Sequence, residues 1–148
     1  MKRFVFGLER LLHLRVRTER EQAQALGIAL REEEERRRQL DAADSRLQHC
    51  AGQIGSSAAV PAGMLRNLGL TVEAAAWQVE ATRQAHDQSQ EALAQEQLRY
   101  GHARVERRTL ERLREQREET WHREATRDEQ QTMDEVSRHF RRRPEIEP

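Results

Sequence analysis

Gly52 and then Gly55-Ser56-Ser57-Ala58-Ala59-Val60-Pro61-Ala62-Gly63 form the stretch that decides the fold. Glycine, serine and proline cluster here as nowhere else in the chain, which marks a break between two periodic segments. On its N-terminal side apolar residues recur in steps of three, four and seven through Leu8, Leu12 (with Leu11 beside it), Val16, Ala23, Leu26, Leu30, Leu40, Leu47, Ala51 and Ile54. That is the spacing of a helical stripe. On the C-terminal side the same spacing runs through Leu65, Leu68, Val72, Ala75, Val79, His86, Leu93, Tyr100, Ala103, Leu110, Leu113 and Trp121, then thins to Ala125, Met133, Val136 and Phe140. After Pro61 the next proline is Pro144, behind Arg141-Arg142-Arg143.

One break between two helical segments predicts an antiparallel pair. The expected fold is all-α: an antiparallel two-helix coiled-coil hairpin with unequal arms, forming a single domain over 1–148. Helix one covers about 4–54, the turn 55–63, helix two about 64–141, and 142–148 is a tail. Thr71 is an alternative N-cap for helix two, which otherwise starts near Ala62 and runs through Gly69. Folding about the break pairs positions whose numbers sum to roughly 120, placing Leu8 near Arg112 and Leu47 near Glu73. At about 1.5 Å per residue the first arm would span on the order of 75 Å, and roughly the last 20–25 helical residues would lack a partner in the chain.

Composition agrees. Of 148 residues, 35% are charged, 36% hydrophobic and 4% aromatic. This is too little apolar material for a broad core but enough for a seam that needs about two positions in seven. Between Leu30 and Leu40 the seam is polar, and Glu32-Glu33-Glu34-Glu35-Arg36-Arg37-Arg38 offers Glu32–Arg36, Glu33–Arg37 and Glu34–Arg38 in the favourable i,i+4 order. We read it as a salt-bridged, solvated stretch. Lys2 is the one lysine, and the arginine bias follows from base composition. A single cysteine, Cys50, excludes an internal disulfide and fits a reducing compartment.

Several functions are disfavoured. A formal net charge of zero with interleaved signs argues against a nucleic-acid binder, which needs a one-sided basic stripe. No run approaches the roughly 18 apolar residues of a membrane span. The opening Met1-Lys2-Arg3-Phe4-Val5-Phe6-Gly7-Leu8 is broken as a signal peptide by Glu9, Arg10 and His13, so the chain is expected to be soluble and cytoplasmic. There is no phosphate-binding glycine loop, and the six histidines form no metal-ligand spacing, so no metal, cofactor or catalytic residue is expected. A two-helix protein offers no concave pocket in which to perturb a carboxylate.

The remaining signal points to protein binding. Trp77 reads as a seam residue, and Trp121 as either a seam residue or an exposed anchor, since tryptophan and arginine are enriched at interface hot spots. Met133, Val136 and Phe140 on the unpartnered stretch suggest docking to another protein.

Three motifs carry a resemblance. The start, Phe4-x-Phe6-x-Leu8-x-x-Leu11-Leu12-x-x-Arg15, resembles the opening of the bacterial flagellar export protein FliJ family. Arg107-Arg108-x-Leu110-Glu111-x-Leu113-Arg114-Glu115-x-Arg117 resembles its C-terminal arm. Glu129-Gln130-Gln131-Thr132-Met133-Asp134-Glu135 ends in the family's Met-Asp-Glu signature. The resemblance implies a two-helix coiled coil similar to the central stalk of rotary ATPases. Such a stalk engages the hexameric flagellar export ATPase through the end carrying both termini, contacts the membrane-embedded export gate, and escorts export chaperones. It would work at the cytoplasmic face of the inner membrane. Carried onto this sequence, Leu8, Leu11, Leu12, Arg15, Trp121, Met133, Asp134 and Glu135 become candidate ATPase-ring contacts. The stalk proteins of virulence type III secretion share the architecture. A coiled-coil tether with no ATPase partner is the rival from another class, and an arginine-tail binder of nucleic acid or anionic membrane through Arg138 and Arg141-Arg142-Arg143 is the other.

Overall fold

A computed structural model describes residues 3–55 and 61–141, with the side chains of 55 and 139–141 left aside. It contains two helices packed against each other, α1 over Glu9–Gly55 and α2 over Ala62–Arg141. They are 47 and 80 residues long. Residues 56–60 of the expected turn, the 142–148 tail, the arginine cluster beyond Arg138 and the side chain of Phe140 lie outside the described residues.

α1 begins at Glu9, later than periodicity suggested. Gly7 and Leu8 form a turn, where the Glu9 amide donates to the Phe6 carbonyl at 3.1 Å and the Leu12 amide to the Leu8 carbonyl at 2.9 Å. Glu9 places a carboxylate in the first turn, where it complements the exposed amides of a helix N-terminus. α2 starts directly after Pro61, whose carbonyl accepts from the amides of Met64 (2.9 Å) and Leu65 (3.2 Å). A proline with no amide to donate is tolerated at such a start. Thr71 is no N-cap: its hydroxyl donates back to the Leu68 carbonyl at 2.7 Å, inside a continuous helix.

The chain divides into two compact units, Thr18–Ala103 and the pair of segments Met1–Arg17 and Arg104–Pro148. In Thr18–Ala103 the inward series of α1 runs through Gln22, Leu26, Ala29, Glu33, Arg36, Leu40, Ala43, Leu47, Cys50 and Ile54, flanked by the part-covered Thr18, Glu19, Ala25, Gly27 and Asp44. That of α2 runs through Leu68, Val72, Ala75, Val79, Thr82, His86, Ser89, Leu93, Glu96, Tyr100 and Ala103, flanked by the part-covered Ala85 and Gly101. Both series alternate steps of three and four, as a coiled-coil seam requires. The helices run antiparallel here, since Glu33 pairs with His86 at 3.2 Å and these numbers again sum to roughly 120.

The seam departs from the expected one at four places. Ala23, Leu30, Ala51 and Leu65 are exposed, Leu30 at 47% and Leu65 at 42%. Gln22, Ala29 and Cys50 take the neighbouring inward positions, because the alternation of three and four outranks the hydrophobicity of any single residue. Trp77, expected in the seam, is 72% exposed on the opposite side of α2 from Val79 and Val72. The charged stretch of α1 is only partly solvated. Glu34–Arg38 forms as expected at 2.9 Å. Arg36 donates instead to Gln39 at 3.2 Å, and Glu33 turns inward to His86. The Arg38 guanidinium hydrogen bond holds the Glu34 carboxyl below its ordinary value. That contribution is present above the ordinary carboxylate range and is lost as pH falls through the lowered pKa.

Candidate partner-binding site

The sequence-selected residues all fall in the unit built from Met1–Arg17 and Arg104–Pro148. Its centre is aromatic and aliphatic. Phe6 and Leu12 are 5% and 6% exposed, and Leu8, Val16, Leu110 and Leu113 are half-buried. Phe4 lies 6.1 Å from Trp121 between ring centroids, with planes tilted at 54°, within the range of favourable aromatic pairs. Two ion pairs tie the segments antiparallel: Arg15 to Glu106 at 2.8 Å and Arg114 to Glu9 at 3.7 Å. All four side chains are more than a third exposed, so each pair contributes at most about 1 kcal/mol. They set register more than stability.

The eight candidate contacts therefore divide. Leu12 is core and shapes the surface from beneath. Leu8 and Trp121 are half-buried, and Arg15 is engaged with Glu106. Leu11 is 37% exposed. Met133 is 70% exposed, and Asp134 and Glu135 beside it are exposed too. Every described side chain from 126 to 138 is exposed. Trp121 thus packs as a seam residue on one side, while its other edge continues into a strip along one face of α2 with Ala125 and Met133. Glu124, Asp128 and Glu129 stand along the same face.

Charge gives the surface its direction. Between 118 and 138 stand Glu118, Glu119, Glu124, Asp128, Glu129, Asp134 and Glu135 against Arg123, Arg127 and Arg138. In a chain of zero net charge this segment is acidic. Sequence reading missed the Phe4–Trp121 contact. The signal for it was present, since Phe4 and Phe6 precede the helix in a chain with few aromatics.

The two tryptophans provide a direct check. Acrylamide is expected to quench a Trp121→Phe variant, which retains Trp77, several-fold more steeply than a Trp77→Phe variant, which retains Trp121. Equal quenching would contradict the packing of Trp121 on Phe4.

Among the described residues no helix is long and apolar enough to cross a membrane. No group of three or more His, Cys, Asp or Glu among them could hold a metal ion. A family model described as "Flagellar FliJ protein" matches residues 4–145. Searches of curated proteins and of solved structures returned no match.

Proposed function

The chain belongs to the flagellar FliJ protein family, whose members are components of flagellar protein export, and from that premise we propose that it is a non-catalytic stalk for the hexameric export ATPase. In this reading Leu8, Leu11, Leu12 and Arg15 form the ring-facing end together with Trp121. The arm of α2 that outruns its partner carries Met133, Asp134 and Glu135 into the ring. Met133 fills an apolar pocket there, and the two carboxylates pair with ring cations. The same protein then links the ATPase to the membrane-embedded export gate and escorts export chaperones, working at the cytoplasmic face of the inner membrane.

One observation carries the reading. The Met-Asp-Glu match sits on a helical stretch whose described side chains from 126 to 138 all face solvent, with Met133 at 70% exposure. A large apolar side chain this exposed, held on a helix beside two carboxylates, contributes little to packing within its own chain. It has the make-up of an interface anchor with a charged rim. The face of α2 that carries Trp121, Ala125 and Met133 among Glu124, Asp128 and Glu129 extends the same chemistry along the helix.

Titrating the purified chain into the flagellar export ATPase tests this proposal. The hydrolysis rate is expected to rise and to saturate at a fixed ratio of chain to hexamer. A rate that stays flat through a large molar excess would sink it.

A further inference from the structure

The seam of Thr18–Ala103 holds a polar span. α1 contributes Glu33 and Arg36 to it, and α2 contributes Thr82, His86 and Ser89. Apolar layers bound it on one side, where Ala43 and Val79 are 4% and 7% exposed. Within the span most polar groups are satisfied by their own helix. The Thr82 hydroxyl donates to the carbonyls of Gln78 and Val79, both at 2.9 Å, and the Ser89 hydroxyl to the His86 carbonyl at 2.7 Å. Arg36 donates to Gln39 at 3.2 Å, Gln39 to Glu35 at 3.1 Å, and Arg38 to Glu34 at 2.9 Å, all along α1. Among the described residues of this span, the side-chain contact that crosses between the helices is the His86–Glu33 pair, with side chains 13% and 18% exposed.

Parting two helices at a leucine layer exposes apolar surface to water, and parting them at an interhelical hydrogen-bond network strands its donors. Here neither penalty is large. The hydroxyls keep their intrahelical acceptors, the α1 hydrogen bonds described run along α1 itself, and the crossing pair described is between groups that water solvates well. We propose that this span is a built-in parting point, at which α1 and α2 separate across residues 33–36 and 82–89 while each stays helical.

Ser89 and Val79 make a matched test, because they are 9% and 7% exposed on the same helix. Single cysteines are placed at each in a Cys50→Ala background, and their alkylation by iodoacetamide is timed under native conditions. Ala43→Cys, from a site 4% exposed, is a second comparator should Val79→Cys weaken the fold. If the span opens, Ser89→Cys reacts about 10-fold faster than either comparator at unchanged helicity by circular dichroism. Adding Glu33→Leu and His86→Leu closes the span and brings its rate within about 2-fold of theirs. Equal rates in the polar-seam protein would overturn the proposal. So would an excess that survives the double leucine variant, since it would reflect the local chemistry of the thiol rather than opening.

Discussion

Leu12→Asp is expected to be the most damaging single substitution in the unit built on Met1–Arg17 and Arg104–Pro148. Leu12 is 6% exposed, and with Phe6 it forms that unit's buried core. Truncating a buried leucine alone costs about 2–5 kcal/mol. An aspartate there adds the cost of a carboxylate placed among apolar side chains with no cation assigned to it. We expect a total of about 4 kcal/mol or more, a large part of the roughly 5–15 kcal/mol that holds a typical domain folded. Thermal unfolding followed by helical circular dichroism should show an early transition absent from the parent protein. Val105→Asp is the control. Val105 is 63% exposed on α2 within the same unit, and the change there should cost no more than about 1 kcal/mol. Equal losses at the two sites would mean that this part of α1 does not depend on α2.

The second large effect is functional. Replacing Met133, Asp134 and Glu135 together by alanine should abolish stimulation of the export ATPase while leaving helicity and melting temperature unchanged. The three side chains are exposed, so their removal opens no cavity, and alanine is the best helix former. A well-packed interface anchor is worth about 2 kcal/mol or more, so losing Met133 with its charged neighbours should weaken binding at least about 30-fold. Stimulation that survives the triple change would move the contact elsewhere on the chain. Stimulation lost together with helicity would show that these residues support the helix itself.

How much of this was readable beforehand depends on what each residue's neighbours reveal. The break was plain because glycine and proline act locally, and the two helices follow from good helix formers on either side of it. The register followed from the break alone. The seam was legible wherever leucine, valine or alanine filled it, at Leu26, Leu40, Leu47, Val72 and Val79. It was misread at Ala23, Leu30 and Ala51, where an apolar residue sat one position away from the true inward site. Leu30 drew the stripe toward itself, while Ala29 and Glu33 kept the alternating spacing. Glu33 could not be read as a seam residue from α1 alone, because its reason for facing inward is His86, 53 positions away. Trp77 misled for a related cause: its size suggests burial, but seam membership is a matter of phase. The start of α2 misled at Thr71 because a threonine signals a cap only if the helix begins there. Of the candidate site, the Met-Asp-Glu match was visible directly. The packing of Trp121 on Phe4 was not, since it depends on a residue 117 positions away.

The most direct test of the central claim is a photo-crosslink. p-Benzoyl-phenylalanine is placed at position 133 in one sample and at position 77 in another, and each is irradiated with the assembled export ATPase. Both parent side chains, Met133 and Trp77, are large, apolar and about 70% exposed, so general stickiness would treat them alike. The account predicts a crosslink to the ATPase from position 133 and none from position 77. A crosslink from position 77 alone, or none from either with the complex assembled, would contradict it.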